Sequence, residues 1–396
     1  MMDNTIEIQE ELSHAPMISV VGVGGAGNNT MGHLVRSGTF SNIRLIIANT
    51  DMQHMLNNPV KERIILGKKG LGAGMRPEQG KAAAEESYEE IKRALDGSDL
   101  IIISAGLGGG TGTGAAPIVA KAAKEVGALT VAVVTKPFKH EGSKRMRFAD
   151  EGLKALYEVC DSIVVIPNEK LLSMIGKNTS YAESMSYVDD VVARAVNGIS
   201  SVILTSSGMG INVDFQDLKT IMSHKGLALM SIGEGEGEDA AQQAIKSAIE
   251  SPLFDNISIN GSLGAIVYFE FNSKMPMMQI MSSMEMIEES ASDDADIIFG
   301  TNPKDNFDEN KVRVSIIITG IEKSQGISVP KSIPTTPDSN TNAQVMQTNI
   351  ESSSEQKPQQ KGAQNLFNFH YEKKVSGSEI TEEVLDIPTY QRMQKD

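Results

Sequence analysis

Residues 104–117 read Ser104-Ala-Gly106-Leu-Gly108-Gly109-Gly110-Thr111-Gly112-Thr113-Gly114-Ala-Ala-Pro117. Six glycines fall in the nine positions from Gly106 to Gly114, interleaved with two threonines. The apolar run at 100–104 precedes them and a helical pattern begins near 115. Strand, glycine loop and helix, in that order, bring backbone N–H groups, hydroxyls and a helix amino end together on an anion. So many glycines cost backbone entropy, so the loop reads as a nest wrapping a phosphate rather than a plain turn.

Working outward, β-branched runs at 18–23, 43–48, 63–66, 129–135 and 162–166 alternate with helical patterns at 28–36, 80–95, 115–126 and 144–158. Near-continuous apolar strands alternating with helices predict a parallel sheet covered on both faces, whose ligands bind at the strands' carboxyl ends. A second glycine loop, Gly22-Val-Gly24-Gly25-Ala26-Gly27-Asn28-Asn29, follows the first strand, and a third spans 67–74. Gly22, Gly24 and Gly27 with Asp51 also satisfy the dinucleotide fingerprint, so an NAD-dependent oxidoreductase is one alternative. Several loops on one sheet edge favour a polyphosphate held from several sides, whereas a dinucleotide normally needs one. There is no G-x4-G-K-[ST], which excludes an ordinary P-loop NTPase.

The remaining features bound the class. With 36 basic and 51 acidic side chains among 396 residues, the formal charge is −15, against non-specific nucleic-acid binding. A hydrophobic share of 40% with 22% charged is globular, and the length suits two or three units. Apolar runs such as 100–103 and 131–134 are too short to span a bilayer, so no direct membrane insertion is expected. Asp3, Glu7, Glu10 and Glu11 stand where a secretory signal would be basic and apolar. The single cysteine, Cys160, fits a reducing cytoplasm and reads as a small buried hydrophobe. A long apolar-striped helix is expected near 183–204, then a smaller α/β group to about 321. Polar composition from 322 to 379 predicts a disordered linker, and the apolar residues regained after 380 predict a partner-docking tail. The methionines between 275 and 286 read as adaptable core packing.

Gly108-Gly-Gly-Thr-Gly-Thr-Gly114 resembles the signature loop of the tubulin/FtsZ family of GTPases. Asn49-Thr50-Asp51, Gly70-Leu-Gly-Ala-Gly74 and the segment from Pro137-Phe138 through Glu141, Arg145 and Met146 are similar to its other nucleotide loops, and Asp386-Ile-Pro-Thr-Tyr-Gln-Arg392 to its terminal docking peptide. The resemblance implies a Rossmann-like parallel-sheet GTPase domain at 17–182 and a connecting core helix at 183–205. A C-terminal activation domain would follow at 206–321, with flexible ends at 1–16 and 322–379 and a docking tail at 380–396.

It further implies a GTP/GDP site with Mg2+ accompanying the nucleotide. Gly25, Ala26, Gly27, Asn28 and Asn29, with Gly108, Gly109, Gly110, Thr111, Gly112 and Thr113, would hold the phosphates, and Glu141 and Arg145 the sugar and phosphates. Asn29 and an acid at the start of the long helix, Asp189 in preference to Asp190, would read the guanine, while Met185 stands where the family usually has a stacking phenylalanine. Asn212, Asp214 and Asp217 would complete the active site of the neighbouring subunit in a head-to-tail homopolymer. On their residues alone, these acids are also ordinary helix-dipole partners, and Glu141 with Arg145 an ordinary surface pair. The resemblance places the chain at the mid-cell division ring, reached through membrane adaptors and division regulators on the 386–392 tail. A catalytically idle nucleotide-binding scaffold is the third alternative.

Overall fold

The computed structural model describes residues 16–38, 43–176, 178–204, 215–223, 226–254, 262–291 and 295–320. The terminal arm, the linker, the docking tail, Asn212 and Asp214 lie outside these described residues.

Strands β1 (Ile18–Val23), β2 (Ile43–Asn49), β3 (Glu62–Ile65), β4 (Leu100–Gly106), β5 (Leu129–Lys136) and β6 (Ser162–Pro167) lie parallel in the order 3-2-1-4-5-6. This is the doubly wound order, in which successive connections change face between β1 and β4. The residues of each strand divide between two cores, because a strand's side chains alternate. Val20 and Ile102 pack in one core with Met31 of helix α1 (Gly24–Ser37) and with Val191 and Val196 of α8 (Tyr181–Leu204). Val21, Ile101 and Ile103 pack in the other with Ile91, Val119 and Leu156. Those three belong to α4 (Tyr88–Leu95), α5 (Thr111–Glu125) and α6 (Ser143–Val159).

The sheet continues without a break. The start of β7 (Gly226–Glu236) pairs parallel with β6 from Ser162↔Gly226 to Val164↔Ala228. The rest of β7 runs antiparallel to β10 (Lys311–Thr319), which is followed by β8 (Gly264–Phe271) and β9 (Asp296–Pro303). A third core forms where α10 (Ala240–Ile249) and α11 (Met277–Ser290) cover these strands. Gly233 and Gly235 face α10 so closely that a Cβ would strike the backbone carbonyls of Ala244 and Ala240, while Glu234 between them and Glu236 after them are exposed.

Three differences from the sequence reading have physical causes. The expected helix at 80–95 is two helices, α3 (Pro77–Glu86) and α4, broken at Ser87. The Ser87 hydroxyl accepts from Gly67 N–H (2.9 Å) and donates to Ile65 O (3.2 Å), so it is drawn to the end of β3. Helices α1 and α5 begin inside the glycine loops, at Gly24 and Thr111, where no apolar periodicity announces them. Short helices α2 (Met52–Leu56), α7 (Asn168–Leu172) and α9 (Phe215–Ser223) complete the described set; only α9 was expected. The methionines divide: Met284 is buried, as core packing requires, but Met277, Met278 and Met281 are exposed on α11. Cys160 is buried, and burial pushes its thiol up to about 12.

Candidate functional site

A cleft of about 840 Å³ opens at the carboxyl ends of β1, β4, β5 and β6, at the position where the doubly wound order reverses. Helices α1 and α5 both start there. Neither has a side-chain cap, and neither carries an acid in its first turn. The first N–H groups of a helix have no carbonyl partner within it, so two positive helix ends converge on one cavity in a strongly acidic chain.

The glycines of the two loops separate by what an added Cβ would meet. At Gly25 and Gly109 it would meet nothing within 4 Å, and both line the cleft. At Gly27 it would strike Ser104 O, at Gly112 the Gly106 carbonyl, and at Gly114 the Pro77 carbonyl on α3. Most of these glycines therefore let backbones touch behind the cleft, which corrects the expectation that their number serves the anion alone. Gly108 combines a φ of 97° with an amide that donates to Thr113 Oγ1 at 2.8 Å. Asn28 is fully buried; its amide donates to the Gly22 and Gly24 carbonyls (2.8 and 3.0 Å) and accepts from Asn49 Nδ2 (3.0 Å).

Of the expected nucleotide residues, Gly25, Ala26, Asn29, Gly109, Gly110, Thr111, Gly112, Glu141, Arg145 and Asp189 line the cleft. Gly27, Asn28, Gly108 and Thr113 stand behind it and shape the loops. Thr50 and Thr111 share a hydroxyl–hydroxyl bond of 2.6 Å that ties the β2 loop to the signature loop. Loop 67–74 is pinned to the same place by Gly72 N–H donating to Thr50 O (2.9 Å). Asp51, the acid an NAD site would need, instead caps α2 by accepting from His54 N–H at 3.1 Å.

Glu141 holds two partners: its Oε1 accepts from Phe138 N–H at 2.9 Å, and its Oε2 accepts from the Arg145 guanidinium. The pair is local, as its i,i+4 spacing implies, and both members also face the cleft. At the other end lie Met185, Val188 and Asp189 from α8, and Asn168 from the start of α7. Burial pushes the Asp189 carboxyl up to about 6, opposed by His33, Arg36 and a hydrogen bond from Thr30. Asp190 does not line the cleft; it is paired with His33 and Arg194. Asn168 was missed by the sequence reading, although it directly follows β6, where a parallel strand delivers ligand contacts. Its Oδ1 is buried without a hydrogen-bond partner among the described residues. His140, stacked on Phe138 with centroids 5.1 Å apart, is a further lining residue not singled out before. Asp217 sits exposed on the first turn of α9 and is not among the lining residues of its own chain's cleft.

Residues 17–176 match the family model for the GTPase domain of the tubulin/FtsZ family, and 226–322 that for the FtsZ C-terminal domain. A cell division protein FtsZ from Helicobacter pylori is 45% identical over 393 residues, covering 98% of this chain and 95% of its own. The chain belongs to the tubulin/FtsZ family. Among solved structures, the empty FtsZ dimer of M. jannaschii aligns with a TM-score of 0.73 at 42% identity, covering 78% of this chain and 89% of its own. The GTPγS-bound CetZ2 protofilament of Haloferax volcanii shares the fold at a TM-score of 0.64 and 22% identity, covering 78% of this chain and 94% of its own. As a tubulin/FtsZ GTPase, the chain binds guanine nucleotide and hydrolyses GTP. The oxidoreductase and idle-scaffold alternatives fall with that assignment. Among the described residues no helix is long and apolar enough to cross a membrane.

Proposed function

We propose that the chain assembles head-to-tail into protofilaments of the cell-division ring and hydrolyses GTP at a site completed by the next subunit. The observation that carries this is the pair of uncapped, acid-free helix ends facing one cleft; among the described residues the carboxylates lining it are Glu141, already paired with Arg145, and Asp189 at the opposite end with Met185. The amides at Gly25 and Gly109–Thr111 hold the phosphates, supported from behind by Gly27, Asn28, Gly108 and Thr113. Glu141 and Arg145 meet sugar and phosphate. Guanine presents N1–H and N2–H2 as donors, so Asp189, Asn29 and the unpartnered Asn168 oxygen supply its partners. Met185 lies against the base face, a polarisable substitute for an aromatic ring.

Phosphoryl transfer needs mainly positioning and charge neutralisation. Asp217, with Asn212 and Asp214, supplies hard oxygen donors to a neighbour's nucleotide and orients the attacking water. These acids suit Mg2+, which neutralises phosphate charge when bound. A contact between different faces of identical chains does not close, and so builds filaments. Exposed Leu71, Met52 and Met75 leave apolar surface near the nucleotide loops for such a contact. Residues 17–182 act as the GTPase domain, 183–205 as the connecting helix and 206–321 as the activation domain. The 322–379 linker tethers the filament, and 386–392 docks membrane adaptors at mid-cell.

Hydrolysis per subunit, recorded with light scattering in one cuvette, tests this. It is expected to be negligible when dilute and to rise with scattering above a threshold concentration; a constant rate would mean a self-contained site. Base reading has its own signature. The carboxylate form of Asp189 is the acceptor, and its carboxyl titrates near pH 6. GDP affinity of the parent relative to Asp189→Asn is therefore expected to fall as pH drops through about 6, by about tenfold per unit. Equilibrium dialysis across that range checks it.

A further inference from the structure

Asp189 and Asp190 are consecutive on α8, yet only Asp189 lines the cleft. Asp190 Oδ1 lies 3.6 Å from His33 Nε2 on α1, and its Oδ2 is paired with the Arg194 guanidinium one turn on. Arg194 is no loose surface residue: its side chain is 11% exposed, and a second guanidinium nitrogen lies 3.7 Å from Glu234 Oε1 on β7. That same oxygen accepts from Arg313 Nε on β10 at 2.7 Å. Arg313 in turn lies 3.7 Å from Glu270 on β8, whose other oxygen accepts from Lys304 at 2.6 Å. Charges alternate along this line from the middle of the core helix across the second half of the sheet. Glu234, Arg313 and Glu270 are cross-strand partners, so the strand register holds them in place.

We propose that Arg194 is a positioning residue for guanine recognition: it holds Asp190 away from the cleft and neutralises the charge that Asp190 would otherwise exert on Asp189. The inference rests on the reading that Asp189 accepts the guanine donors. A half-buried carboxylate whose partner is removed keeps its charge but loses its compensation. Beside it, Asp189 already titrates high because of burial, and a like charge nearby raises a carboxyl further. The charged and titratable groups facing the pair are His33 and Arg36 on α1, Tyr187 and Arg194 on α8, Glu234 on β7 and Arg313 on β10. Glu141, Arg145 and His140 line the same cleft. His33 is the other basic group beside Asp190.

GDP affinity is measured from pH 5 to 8.5 for the full chain and for Arg194→Met, Arg194→Lys, Asp189→Asn and the double variant Asp190→Asn with Arg194→Met. The nucleotide's own titration is common to all and cancels. In Arg194→Met the acidic loss of affinity is expected to begin about one pH unit higher than in the parent. At a pH on that limb this is about tenfold weaker binding. Arg194→Lys and the double variant are expected to return to the parent profile, since one restores the cation and the other removes the charge it offsets. An Arg194→Met profile superposed on the parent's would overturn the proposal, as would a double variant that stays displaced, which would mean Arg194 serves packing alone. An Asp189→Asn chain with the parent's affinity and profile would overturn the base-reading role of Asp189 itself, a different failure from either of those.

Discussion

An Asp217→Ala chain is expected to bind GTP as the parent does and to hydrolyse it about a hundredfold more slowly or worse. Asp217 is exposed at the start of α9 and does not line its own chain's cleft. An acid there interacts favourably with the helix dipole, and losing only that costs about 0.3–1 kcal/mol of stability. The two roles therefore move different quantities: turnover in one case, the unfolding midpoint in the other. Binding by equilibrium dialysis, phosphate release and thermal unfolding on one preparation separate them. Mixing Asp217→Ala with a chain that keeps Asp217 but cannot bind nucleotide is expected to recover turnover, because each junction needs one intact half from each subunit. Unchanged turnover, or lost binding, would remove Asp217 from the hydrolytic machinery.

Gly114→Ala and Gly109→Ala, five residues apart in the signature loop, are expected to fail in opposite ways. A Cβ on Gly114 would run into the Pro77 carbonyl and stand 2.7 Å from Lys81 N, where α5 crosses α3. Both obstacles are helix backbone, which cannot rotate aside as a side chain can. Gly114→Ala is therefore expected at the upper end of overpacking, about 3 kcal/mol destabilising, read as a lowered denaturation midpoint. A Cβ on Gly109 meets no protein atom within 4 Å and its φ is not left-handed. Gly109→Ala is expected to keep the parent's midpoint to within about 0.5 kcal/mol and to weaken nucleotide binding, since the methyl enters the space between the helix ends. A Gly114→Ala chain of parental stability would mean that the α3–α5 crossing gives way.

This pair marks the limit of what the primary structure discloses. That residues 106–114 carry glycine for a reason was legible; which glycine serves the ligand and which the packing was not, because the distinction depends on what lies across the fold. Strand positions and the ligand edge of the sheet followed from apolar runs and loop composition, which are local. Asp189 was placed at the site by the family resemblance alone, since it stands in the third turn of α8, a helix that no strand directly precedes. Asn168 went unread because its only signal is to follow β6 immediately. The break at Ser87 depends on Gly67 and Ile65, some 20 residues earlier, and the Arg313–Glu234 pair joins residues 79 apart. No periodicity reports such pairings; only strand register does. Asp51 shows the converse, since a residue matching a fingerprint is spent on capping a five-residue helix.

β7 belongs to both halves of the sheet, but unequally. Its hold on β6 is the short ladder from Ser162↔Gly226 to Val164↔Ala228, whereas its hold on β10 runs from Leu229↔Ile318 to Lys311↔Glu236. The ladder to β6 is the shortest in the sheet, and parting it also opens the apolar core that Met230, Ile266 and Ile317 share with Val164 and with Val191 and Val196 of α8, while β7 leaves with the second half, whose own ladders remain intact. A subunit pulled from both ends within a filament would thus yield like a zip with a few teeth before a welded panel: the first extension separates two folded pieces rather than unravelling either. In a single-molecule pulling trace this would register as a short early step, ahead of the longer ones in which the ladders within each half part.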